Sequence, residues 1–121
     1  MELTFTNARL ARLCGRQAEL AAWAGEDAPA LEQLLAELDS VDKLGEVEEF
    51  PHVHLLRAPV GRVGAHGAYD AGVLLNPEPT RSRSYRDADA ATVVAVAVGD
   101  EDFNPEGASW PRAFAMSRTT R

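Results

Sequence analysis

The chain has 121 residues, 45% of them hydrophobic, and a formal charge of −7. That length suits one domain able to bury about two-thirds of its unfolded surface unaided, while the lone Cys14 excludes an internal disulfide and any cysteine-cluster metal site. The opening Met-Glu-Leu-Thr lacks the basic-then-apolar pattern of a signal peptide, and no apolar run nears the roughly 20 residues of a membrane span, so a reduced, cytoplasmic protein without a membrane partner is expected.

Leu3 and Phe5 alternate with polar neighbours, which predicts a short half-buried strand at the N-terminus. Asn7 suits a helix N-cap. Leu10, Leu13, Cys14, Gln17, Leu20, Ala21 and Ala24 then recur at helical spacing until Gly25. Cys14 falls on that stripe, where a buried thiol behaves as a small core residue. A second helix opens at Asp27-Ala28-Pro29, and Leu31, Leu34, Leu35 and Leu38 form its apolar stripe. Neither helix can bury its stripe alone, so the two are expected as an antiparallel hairpin laid across a sheet. Val41 and Leu44 continue the contact, and Glu46, Glu48 and Glu49 read as a solvated acidic patch.

After Phe50-Pro51, residues 52–57 read as a strand with His52, His54 and Leu56 on one face and Val53, Leu55 and Arg57 on the other. Pro59, Gly61, Gly64 and Gly67 mark the next stretch as a loop carrying Arg62 and His66. Residues 68–76 return to strand, ended by Pro77-Glu78-Pro79. Residues 77–91 form a long polar connection in which Arg81, Arg83 and Arg86 surround Tyr85. That combination can hold phosphates and stack a base, or simply remain a solvated loop.

The run Thr92-Val93-Val94-Ala95-Val96-Ala97-Val98 is apolar on both sides, too short for a helix, and rich in β-branched residues. It is therefore expected in mid-sheet, covered on both faces, and ending where Gly99-Asp100-Glu101-Asp102 must reach water. Trp110, Phe114 and Met116 offer a means to pack the tail down. The predicted fold class is α+β: an N-terminal strand, a helix hairpin, then a mostly antiparallel sheet in the order β-α-α-β-β-β.

Charge is unevenly spread. Residues 1–51 hold eleven acids against four bases and supply the whole −7, whereas residues 52–121 hold eight of each. Eleven of the twelve bases are arginines, suited to bidentate phosphate contacts, although a general arginine and alanine richness has the same appearance. An acidic whole argues against nonspecific nucleic-acid binding, while the neutral half leaves room for a local anion site. Gly61-Arg62-Val63-Gly64 is not a phosphate-cradling loop ahead of a helix, which sets nucleotide chemistry aside.

Several local motifs in this order resemble the RelE/ParE superfamily of bacterial toxins, particularly its HigB-like killer-protein branch. They are Phe5-Thr6-Asn7 with Leu10, Leu34-Leu35 with Leu38, Leu44, Pro51, the strand His54-Leu55-Leu56-Arg57, Gly72-Val73-Leu74-Leu75-Asn76-Pro77, and the acidic exit at Glu101-Asp102-Phe103-Asn104. The similarity spans about residues 2–104 of a single domain over 1–121, with residues 105–121 as an added tail. It implies a toxin that cuts messenger RNA on the ribosome, with no metal or other cofactor, and that a helix-turn-helix antitoxin neutralises.

In that chemistry the ribose 2′-OH attacks the adjacent phosphate, so the site takes one proton, stabilises extra charge and returns a proton to the leaving oxygen. The resemblance points to His54, Arg57 and Asp102 for catalysis; the loop residues Arg62 and His66 and the connection residues Arg81, Arg83, Tyr85 and Arg86, read from their own composition, are expected to contact the RNA. The chain departs from the family where an arginine is usual near Gly72, and where the terminal Asp-Tyr-His appears as Asp102-Phe103-Asn104. Phe103 lacks a hydroxyl, and Asn104 exchanges no proton near neutral pH. The alternative is therefore a non-catalytic protein of the same fold that binds an antitoxin-like partner by strand addition or by wrapping across the sheet.

Overall fold

The computed structural model describes residues 1–114. The elements are β1 (Glu2–Phe5), α1 (Ala8–Gly15), α2 (Gln17–Ala24), α3 (Ala28–Ser40), β2 (His54–Arg57) and β3 (Val63–His66). They continue with β4 (Gly72–Pro77), β5 (Ala90–Val98) and β6 (Glu101–Phe103). The fold is α+β, with a mostly antiparallel sheet in the order β1-β5-β4-β3-β2, to which β6 adds against β5. Among the described residues only the β1–β5 pair is parallel, and β1 and β6 share one edge of β5, pairing with residues 90–93 and 96–98 respectively. The valine-rich run is thus mid-sheet, and every residue from Val93 to Gly99 is buried.

Two apolar layers explain that burial. On one face, leucines of the helices pack on Leu55, Val63, Val73, Leu75, Val93 and Val96. On the other, Leu74, Val94 and Ala95 meet Ala58, Ala108 and Trp110. A β-bulge between Leu74 and Leu75 lets both Val94 and Ala95 join this second layer. Leu31, Leu34 and Leu38 of α3 are at most 1% exposed. Burying them contributes about 1.5–3 kcal/mol each. That exceeds anything a helix this short gains from propensity alone.

Five sequence expectations change in the fold. The helix expected from Asn7 to Gly25 is two helices, because the chain leaves helical geometry at Arg16 (φ −124°, ψ 114°). Gly15 is its weak point, costing about 1 kcal/mol against alanine, and each half docks by its own leucines. Asn7 does cap the first, accepting the Leu10 N–H at 2.9 Å. The stretch read as a loop contains β3, with Gly64 inside it. A Cβ there would lie 2.7 Å from Pro111 Cγ, so the glycine marks a close chain approach rather than a turn.

The strand expected from residue 68 begins at Gly72, because Ala68–Ala71 is a tight turn with Tyr69 (φ 55°) and Asp70 (φ 60°) both left-handed. Finally, the acidic exit turns at Gly99-Asp100 and continues as β6, where Phe103 meets the Trp23 ring edge-on at 6.3 Å. The long connection is not bare loop either. It holds a short 3-10 turn at Tyr85–Asp87, with Thr80, Ser82, Ser84 and Asp87 hydrogen-bonded among themselves.

Residues 104–114 cross the sheet face opposite the helices as a strap. Asn104 closes its first turn on Ala108 through paired hydrogen bonds of 2.7 and 2.9 Å. Glu106 ties both sides of the crossing, accepting from Thr6 Oγ1 and pairing with Arg62 at 3.5 Å. Trp110 stacks on Phe114 (4.7 Å, 22°), and Phe114 is 3% exposed. Met116, Arg118 and Arg121 lie outside the described residues. No helix among the described residues is long and apolar enough to cross a membrane.

Candidate functional site

Cross-strand register lays Asp102, His66 and His54 in one row across the strap-covered face, with Ala97 and Gly72 between them. Asp102 pairs with Ala97, Ala97 with Gly72, Gly72 with His66, and His66 with His54. Neighbouring strands lie about 4.8 Å apart, so Asp102 stands about 14 Å from His66 and about 19 Å from exposed His54. The two histidines are therefore adjacent, and Asp102 is remote from both. Its carboxylate instead accepts the Trp110 Nε1–H at 3.3 Å. Between them lies Gly72, where a Cβ would sit 2.5 Å from the Phe114 ring. That ring fills the centre of the row, and its edge-to-face contact with His66 is 5.1 Å between centroids.

Arg57 is three residues from His54 and so on the other side of β2, its odd-numbered neighbour Leu55 facing the helices. Its guanidinium lies over the Tyr85 ring at 5.7 Å, with Arg86 over the same ring at 5.4 Å. Arg86 is ion-paired with Glu48, whose other oxygen accepts the Leu55 N–H at 3.1 Å. Arg81 and Arg83 are exposed on the same connection, while Arg62 is partly covered at its Glu106 partner. The structure thus brings together His54 with His66, and Arg57 with Tyr85 and Arg86. It holds those two groups on opposite faces, and Arg62 and Asp102 apart from both.

Two acids outside the expected set control these arginines. Glu48 read as part of a solvated patch, and Glu106 as tail, and nothing in the linear spacing links either to its partner 38 or 44 residues away. The strap's aromatic pair was legible only as packing. Cys14 is half-buried, and burial pushes its thiol up to about 12, which makes it unreactive near neutral pH. Among the described residues, no group of three or more His, Cys, Asp or Glu side chains is placed to hold a metal ion.

Titration follows from the same contacts. Burial beneath the strap pushes the His66 imidazole below its usual 6.5, opposed by the charge of Asp70 and reinforced by that of His54. For Glu48, partial burial raises the carboxyl, but hydrogen bonds from Arg86 and Leu55, with the charges of Arg86 and His54, outweigh it and leave the group below 4.5. Both shifts have one sign: the unfolded chain binds protons first. Stability is expected to be flat between about pH 7 and 8, to fall as pH drops through 6.5, and to fall again below 4.5. Urea titrations between pH 8 and 3.5 check this. His66→Gln is expected to remove the first fall and Glu48→Gln the second, whereas unchanged slopes would refute the assignment.

Comparisons with protein-family models, curated proteins and solved structures return no match to this chain.

Proposed function

We propose that this chain is a cytoplasmic partner-binding protein on a RelE/ParE-like, HigB-type toxin framework, working in a toxin–antitoxin pair without cutting RNA itself. One observation carries the reading. Where the family has an arginine, this chain has Gly72, and the vacated space is filled by Phe114 of its own strap. Loss of the cation and closure of the face are one structural change, which leaves partner binding as the activity such a framework still supports. The partner expected is a helix-turn-helix antitoxin-type protein.

A second reading is favoured by the adjacent His54 and His66, a pair of imidazoles suited to moving a proton in and out of a metal-free RNA cleavage. Under it the chain is a ribosome-dependent endoribonuclease in which Arg57, Tyr85 and Arg86, held on the opposite face of the sheet from the imidazoles, with Arg81 and Arg83 on the same connection, contact RNA away from the scissile phosphate. Expression with and without the product of the neighbouring gene separates the two. The proposal expects normal growth, intact transcripts and a stable complex with that product. Arrested growth with transcripts cut in a His54-dependent way would establish the enzyme instead.

A further inference from the structure

A groove of about 350 Å³ runs between α3 and the turns at Pro51-His52-Val53 and Gly67-Ala68-Tyr69, near the lower end of the ~300–1,000 Å³ usual for ligand sites. Its floor is apolar, formed by Ala30, Leu34 and Val53. Three carboxylates rim it, Glu26, Asp27 and Glu37, with no Lys or Arg among the described lining residues. None of the three has an ion-pair partner among the described residues. Over the opposite lip stands Tyr69, 80% exposed.

Its conformation is informative. Tyr69 and Asp70 occupy the two left-handed positions of a tight hairpin turn, where Asn-Gly is the unstrained choice. An aromatic side chain held there by a strained backbone and left in solvent contributes nothing to the core. Its face is, however, open to a guanidinium or ammonium group. The three carboxylates also belong to residues 1–51, the half of the chain that carries the whole net charge of −7.

We infer that this groove docks a basic segment of a partner protein, an Arg- or Lys-bearing stretch whose cation lies between Tyr69 and the Glu26, Asp27 and Glu37 carboxylates while a small apolar side chain enters the floor. The inference deepens the partner-binding reading and rests on it. It places the partner on the helix side of the molecule, away from the strap-covered face.

The test is selection of a displayed random nonapeptide library on the full chain, followed by fluorescence anisotropy with the peptide most enriched. Enrichment of Arg and Lys next to aliphatic residues is expected, with binding that weakens as salt rises. Glu26→Gln combined with Glu37→Gln is expected to weaken that peptide at least tenfold, and Tyr69→Gly similarly. Tyr69→Phe should retain binding, and Gly suits the left-handed turn, so the fold is preserved in both. No enrichment, enrichment of acidic or neutral peptides, or variants that bind like the parent would overturn the inference. So would self-association of the chain that competes with the peptide, since a second copy would then be the occupant. If the neighbouring gene's product binds the Glu26→Gln/Glu37→Gln chain undiminished, the groove is wrong and the partner-binding reading stands.

Discussion

Gly72→Ala is expected to destabilise the protein by about 2–4 kcal/mol, an unusual cost for adding one methyl to a strand. The added Cβ would fall 2.5 Å from two carbons of the Phe114 ring, well inside contact distance, and the ring must leave. Expelling it forfeits about 1.5–3 kcal/mol of aromatic burial and about 0.5–1.5 kcal/mol of stacking on Trp110. In a Phe114→Ala background the clash is gone. There Gly72→Ala is expected to be neutral or stabilising by about 0.5–1 kcal/mol, because alanine restrains the unfolded chain more than glycine. Urea unfolding of the four proteins measures the coupling, and Trp110 emission in a Trp23→Phe chain reports strap release directly. Additive costs would mean that the ring and the glycine do not share one space, and the observation behind the proposed function would go with them.

Val96→Asp is expected to leave no cooperatively folded protein, whereas Thr92→Asp, four residues earlier on β5, is tolerated. Val96 is fully buried between β4 and β6 and belongs to the main core. An aspartate there loses about 1.5–3 kcal/mol of apolar burial and adds about 2–7 kcal/mol for an unsatisfied polar group. Together these reach the roughly 5–15 kcal/mol that hold a domain folded. Thr92 is partly exposed, and its hydroxyl bonds that of Thr4 at 2.9 Å on the open side of the β1–β5 pair. Its replacement is expected to cost about 1 kcal/mol, one exposed hydrogen bond. Circular dichroism and a urea transition for each protein decide it. A folded Val96→Asp chain would show that the ribbon is not enclosed.

How far local pattern reached is visible in particular residues. The Leu31, Leu34, Leu38 stripe and the all-apolar run at 92–98 each state their own environment, because burial on one face or two leaves a period in the residues themselves. Asn7 likewise states its cap. Gly64 and Gly72 gave the wrong or no signal, since a glycine that turns the chain and a glycine that admits another chain segment look alike in one dimension. Their meaning depends on Pro111 and Phe114, 47 and 42 residues downstream, and only the tertiary structure supplies that pairing.

The same divide runs through the functional residues. His54 and Arg57 can be assigned to opposite faces of one strand from their spacing alone, because side chains alternate with period two. That His54 stands beside His66, that Tyr85 lies between Arg57 and Arg86, and that Glu48 and Glu106 restrain two of the arginines follow from strand register and loop crossing. The amino-acid sequence by itself therefore determined the α+β class, the enclosed ribbon and the acidic helical half, since each is written in consecutive residues. The closure of the sheet face and the groove beneath Tyr69 were decided only in three dimensions, where contacts between distant segments set which groups meet and which are kept apart.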